Sequence, residues 1–125
     1  MEQQKLTGLR RIRRSIRVSY SGFRYAFADE AAIREQIIGL AILVPISALL
    51  PVTTLEHLIL VLSLMLVVLV EFLNTAIETT VDRISLEEHP LAGRAKDFAC
   101  VAVVIAVLMM GLCWVVIVGP VIFKR

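Results

Sequence analysis

The chain has 125 residues, of which 58% are hydrophobic and 19% charged, with a formal net charge of +2 at pH 7. Its mean hydropathy of +0.84 reflects apolar runs too long for the core of a single small soluble domain, which excludes a soluble globular enzyme and a disordered chain alike. Cys100 and Cys113 fall on different faces of one apolar helix, an arrangement that gives neither a disulfide nor a metal knuckle.

In chain order, the first pattern is an amphipathic helix over about residues 5–28. Leu6, Leu9, Ile12, Ile16, Tyr20, Phe23 and Phe27 recur every three or four residues, with most of the arginines opposite or flanking them. Such a helix lies in the headgroup plane, either as an anchor whose arginines snorkel to anionic lipid or with some of them meeting a phosphorylated ligand. No cleavable signal is expected, because a short apolar core and a small-residue cleavage site are both missing. Three spans follow, at about 31–50, 55–80 and 98–123, the first of them carrying Pro45. Lys5, Arg10, Arg11, Arg13, Arg14, Arg17, Arg24 and Arg34 precede the first span, whereas the loop from Pro51 to His57 has no Lys or Arg. That asymmetry predicts a cytoplasmic N-terminus. It also predicts a cytoplasmic loop from Asp82 to Asp97 containing Arg83, Arg94 and Lys96; Lys124 and Arg125, placed outside, run against the rule.

The second span continues without a break signal into Glu71, Asn74, Glu78 and Asp82. Spacings of three, four and four residues put these side chains within about 80° on one helix face. A carboxylate at a bilayer centre costs on the order of 2.5 to 3.5 kcal/mol by insertion scales, so the stripe is expected to face protein or water and to serve a function. Asp29, Glu30 and Glu35 lie at the mouth of the first span, at the same depth. Carboxylates from two helices suit a hard divalent cation carried by substrate phosphates, with one carboxylate left to take a proton from a hydroxyl. Arg94 and Lys96 are placed to balance phosphate charge. Interhelical hydrogen bonding and a proton or cation pathway remain open alternatives. No Walker loop or kinase Gly-rich loop is present, and Gly93-Arg94-Ala95-Lys96-Asp97 does not supply one.

Glu71-Phe72-Leu73-Asn74-Thr75-Ala76-Ile77-Glu78, then Val81-Asp82-Arg83, His89 and Gly93-Arg94-Ala95-Lys96-Asp97, resembles the signature of the prokaryotic diacylglycerol kinases. Gly22-Phe23-Arg24 and Asp29-Glu30-Ala31-Ala32 resemble the family's segment joining the surface helix to the first span, so the resemblance covers nearly the whole chain. It implies an all-α membrane protein, a surface helix plus three transmembrane helices, assembled as a homotrimer in the bacterial inner membrane with sites shared between subunits. The activity implied is transfer of the ATP γ-phosphate to 1,2-diacylglycerol, giving phosphatidic acid for phospholipid synthesis, with Mg2+ as cofactor and no nucleic acid partner.

By this resemblance Glu71 is the general base, and Glu30 and Glu78 hold Mg2+ against the ATP phosphates. Asn74 and Asp82 support them, Lys96 and Asp97 contact the nucleotide, and Glu87, Glu88 and His89 sit by the adenosine. Arg11 and the stretch from Ser15 to Tyr20, with Val18 on the nucleotide side and Ser19 on the lipid side, line the entrance. Arg24, Phe27, Ala32, Glu35, Gln36, Cys100 and Trp114 complete the lipid contacts. Cys100 replaces a hydroxyl residue common in the family, and Glu35-Gln36 is in swapped order. His89-Pro90-Leu91-Ala92 resembles the branch that phosphorylates undecaprenol. Outside this chemistry, a small oligomeric cation transporter is the alternative that would use the same carboxylates.

Overall fold

Four helices in chain order make up the computed structural model, which describes residues 7–84 and 86–123; no strand occurs among the described residues. Lys5 and Leu6 of the expected surface helix, and the basic pair Lys124 and Arg125, lie outside the described residues. Helix α1 spans Leu9–Asp29, α2 Ala31–Ala48, α3 Thr54–Ile84 and α4 Pro90–Phe123. Gly8, with φ 63, opens α1 from the left-handed region that an L side chain avoids.

A single extended residue separates α1 from α2. Glu30 has φ −110 and ψ 103, yet its N–H still donates to the Ala26 carbonyl at 2.8 Å and its own carbonyl accepts from the Arg34 N–H at 3.0 Å. The backbone bonds thus run through the bend almost unbroken, and the chain leaves the amphipathic helix for the apolar one within one residue. Helix α2 stops at Ala48 rather than at residue 50, because the residue before Pro51 is driven out of the helical region and Pro45 has already removed one donor.

A capping box starts α3: the Glu56 N–H donates to Thr53 Oγ1 at 3.2 Å and the Thr53 N–H donates to Glu56 Oε1 at 3.3 Å. With 31 residues α3 is about 46 Å long, well beyond a hydrocarbon core of about 30 Å. Its last turns, which carry Glu78 and Asp82, therefore project past the apolar layer.

The expected loop from Asp82 to Asp97 is corrected by the structure. Helix α3 runs on to Ile84, and α4 begins at Pro90, eight residues before the expected third span. Proline fits the first helical position because its missing N–H has no partner there. His89 Nδ1 accepts from the Leu91 N–H at 3.1 Å and the His89 carbonyl accepts from the Gly93 N–H at 3.0 Å, so a polar segment starts a helix by its own capping chemistry. Hydropathy marked where lipid begins, not where the helix begins.

Helix α3 is the central element, packed along its length on α4 and on its other flank against α2, while α1 leans on α2. The buried residues of α3 are Leu60, Ser63, Leu64, Val67 and Glu71, a single stripe at helical spacing. Ala99 and Ala106 are buried on α4, two small side chains seven residues apart that let the helices approach closely. Most large apolar side chains of α2, α3 and α4 are exposed, and all three helices are long and apolar enough to cross a membrane. This is an all-α membrane protein whose hydrophobic exterior suits lipid rather than water.

Candidate functional site

The acidic stripe of α3 continues the face by which that helix packs. Leu60, Leu64, Val67 and Glu71 follow one line, and Asn74, Glu78 and Asp82 extend it within about 60°. Over this length the packing face changes from hydrocarbon to carboxylate without changing direction. Glu71 stands at the transition, only 8% exposed. Among the described residues no side chain donates a hydrogen bond to its carboxylate. One turn further on, the Oδ1 of Asn74 is also buried and without a donor.

The enclosed Asn74 oxygen is costly in a folded chain, because a buried polar atom forfeits its bonds to water and normally finds a partner. A group arriving with an O–H to donate removes that cost. Glu78 and Asp82 lie progressively nearer the open end of the stripe and are exposed. Seven residues separate Glu71 from Glu78, about 10 Å along the axis. Asp82 accepts from Lys96 Nζ at 2.6 Å, a bond that fastens the end of α3 to the start of α4 and places a cation at the mouth of the stripe.

Beside this bond a groove of about 590 Å³ is lined by Val81, Asp82, Glu87, Glu88, His89 and Lys96 among others. The structure thus brings together five sequence-predicted residues at the α3–α4 connection. His89 is partly committed, since its Nδ1 caps α4. Asp97, the other expected nucleotide contact, directly follows Lys96 and is exposed.

Glu30 lies elsewhere in the chain. It lines a groove with Gly22, Tyr25, Asp29, Phe72, Thr75 and Thr79, on the flank of α3 about 100° from the stripe, so one chain does not bring Glu30 and Glu78 into one groove. No cluster of three or more His, Cys, Asp or Glu suited to a metal occurs among the described residues. The donors present are hard carboxylate oxygens in ones and twos. They fit a Mg2+ that arrives with phosphate oxygens, which needs only one or two protein carboxylates.

On α1, Arg11, Ser15, Val18, Ser19, Tyr20, Arg24 and Phe27 are all exposed, as are Ala32 and Glu35 on α2, while Gln36 is half-buried. The Ser15 hydroxyl donates to the Arg11 carbonyl at 2.9 Å, so its proton is spent on its own helix. On α4, Cys100 is exposed; Trp114 is half-buried, its indole Nε1 enclosed without an acceptor.

Sequence reasoning missed a ladder of rings. Phe27 stacks on Phe23 at 6.2 Å between centroids, and Phe23 stacks on Phe72 at 6.5 Å, tying the surface helix to the residue beside Glu71. Phe72 read only as one more apolar residue of the span. Its position next to the stripe was the available signal.

Comparison with known proteins adds an independent line. The family model described as prokaryotic diacylglycerol kinase matches residues 17–118. A diacylglycerol kinase of Haemophilus influenzae is 40% identical over 110 residues, covering 88% of this chain and 93% of the relative. One of Escherichia coli is 40% identical over 111 residues, covering 89% and 91%. A third, of Helicobacter pylori, is 34% identical over 110 residues, covering 88% and 86%.

Proposed function

Because this chain belongs to the prokaryotic diacylglycerol kinase family, we propose that it transfers the γ-phosphate of ATP to the primary hydroxyl of 1,2-diacylglycerol, yielding phosphatidic acid and ADP. The observation that carries this reading is Glu71, a buried residue whose carboxylate has no hydrogen-bond donor among the described residues, at the point where an apolar packing face turns acidic. A lipid hydroxyl is a donor attached to an apolar body, and it reaches that depth from the bilayer.

Glu71 accepts the hydroxyl proton as the lipid oxygen forms its bond to the γ-phosphorus. The bond from that phosphorus to the β–γ bridging oxygen breaks, and ADP leaves toward the open end of the stripe. Asn74, one turn from Glu71, orients the lipid through its carboxamide N–H, which donates to a glycerol ester oxygen or a phosphate oxygen. Lys96, next to the groove of Glu87, Glu88 and His89, offers its ammonium to phosphate oxygens, and the Asp82 carboxylate holds that ammonium in place. Glu78 and Glu30 are the carboxylates that would hold Mg2+, which supplies neutralisation of phosphate charge. Their separation within one chain is the physical argument for a composite site: in a homotrimer, a neighbouring α1–α2 corner supplies Glu30 to the Glu78 end of the stripe. The arginine bias before the first span supports a cytoplasmic N-terminus in the inner membrane, with ATP reaching the site from the same side.

The test is transfer of labelled γ-phosphate from Mg-ATP by the purified protein in mixed micelles, with diacylglycerol and undecaprenol offered separately. Phosphatidic acid as the dominant product is the expected result. Undecaprenyl phosphate would move the substrate to the polyprenol branch, and no transfer by folded protein would refute the kinase reading.

A further inference from the structure

A single extended residue, Glu30, joins α1 to α2, so α1 is a helical arm hinged at one end. What fixes the lean of that arm is its contact with α3. Among the described residues no salt bridge and no side-chain hydrogen bond joins α1 to α3. The specific contact is the ring pair Phe23–Phe72, with centroids 6.5 Å apart and planes at 25°, backed by Phe27 on Phe23 at 6.2 Å and 17°. Both separations fall within the range of about 4.5 to 7 Å over which aromatic rings attract.

Phe23 stands seven residues from the hinge, about 10 Å, whereas Ser15 stands fifteen residues away, about 22 Å. A movement allowed at the ring pair is therefore doubled at Ser15. Between the arm and α3 lies a groove of about 460 Å³, with Gly22, Tyr25 and Ala26 on one wall and Phe72, Thr75 and Thr79 on the other. Phe72 is the α3 residue at the membrane end of this groove, and it directly follows Glu71. About 100° of helix surface separates the two side chains, so Phe72 faces the flank and stays clear of the stripe where the reaction occurs. Its effect on the site runs through α1.

Diacylglycerol carries its glycerol at the boundary between apolar and polar layers, the level at which an amphipathic helix lies. The arm therefore borders the path of the lipid, whereas Mg-ATP meets the groove of Glu87, Glu88 and Lys96 at the α3–α4 connection. Resting on the kinase reading, we propose that Phe72 is a positioning residue for the acceptor lipid. Through Phe23 it fixes the lean of α1, and that lean sets how tightly diacylglycerol is held while the chemistry at Glu71 is untouched.

The experiment measures phosphoryl transfer by the full chain in mixed micelles with each substrate varied in turn. F72A is expected to raise the KM for diacylglycerol about fivefold, within the roughly 2- to 12-fold by which an aromatic pair shifts an equilibrium. The KM for Mg-ATP and kcat are expected to stay within about twofold of wild type. F72Y keeps the ring and is expected to restore the lipid KM. F23A is expected to match F72A, and F23A/F72A to exceed neither, because the two rings act as one contact. A second readout needs no turnover: spin labels on R14C and L69C, in a C100S/C113S chain diluted among unlabelled chains, report the distance from α1 to α3. In F72A that distance is expected to shift or broaden by about 4 Å, twice a give of about 2 Å at the ring pair, and in F72Y to stay as in wild type. An unmoved lipid KM or an unmoved label distance in folded F72A overturns the proposal, as does an equal change in both Michaelis constants. Should F72A fail to fold, F23A decides by the same criteria. A wild-type chain that transfers no phosphate to diacylglycerol refutes the kinase reading and the lipid role with it, while the label distance still decides whether Phe72 holds α1.

Discussion

Replacing Glu71 with glutamine separates the base function from everything else this residue does. The side chain is 8% exposed and lies in the packed stripe of α3, so an isosteric amide keeps the volume and opens no cavity. Glutamine also removes a carboxylate that has no donor among the described residues, so thermal stability in detergent is expected to stay the same or rise slightly. Loss of a positioned proton acceptor costs about 10²- to 10⁴-fold in rate, equivalent to about 3 to 5.5 kcal/mol of transition-state stabilisation. Glu78 and the groove at the α3–α4 connection lie about two turns away along the axis, so the apparent affinity for Mg-ATP is expected to change less than threefold. The assay is steady-state phosphoryl transfer with both substrates varied, beside nucleotide binding measured on the same preparation. A variant that turns over within tenfold of wild type would remove Glu71 as the base. A variant with lost turnover and a comparable loss of nucleotide binding would assign it to the nucleotide instead.

Glu78→Gln is expected to raise the Mg2+ concentration for half-maximal activity at least tenfold with little change in stability, and an unchanged Mg2+ titration would refute its metal role. Ala106→Leu adds bulk at a position 2% exposed on the face of α4 that meets α3, and overpacking of this kind costs about 1 to 3 kcal/mol; an unchanged thermal midpoint in detergent would show that the interface is looser than described. Thr53→Ala removes the cap at the far end of α3 and is expected to cost about 1 kcal/mol of stability while kcat is unchanged, because the capping box stands remote from the acidic stripe.

Much of the molecule is written locally. The amphipathic repeat from Leu9 to Phe27 and the apolar runs appear as helices near their expected positions, because side-chain periodicity and span length depend only on chain geometry and on the bilayer as solvent. The acidic stripe was also legible, since residues at three- and four-residue spacing must share a face once the helix exists. The extent of α4 was not: Pro90 and the capping nitrogen of His89 start it inside a polar segment where hydropathy has no signal.

Tertiary structure alone decided which way the stripe faces. That Glu71 is buried while Glu78 is exposed follows from how the neighbouring helices pack on α3. The ring ladder from Phe27 to Phe72 and the Lys96–Asp82 bond join residues far apart in the chain, and no local pattern selects such pairs. The sequence by itself determined the helices, their amphipathic faces and the carboxylates available. Packing determined which carboxylate loses water and which keeps it, because desolvation is a property of neighbours in space rather than in sequence.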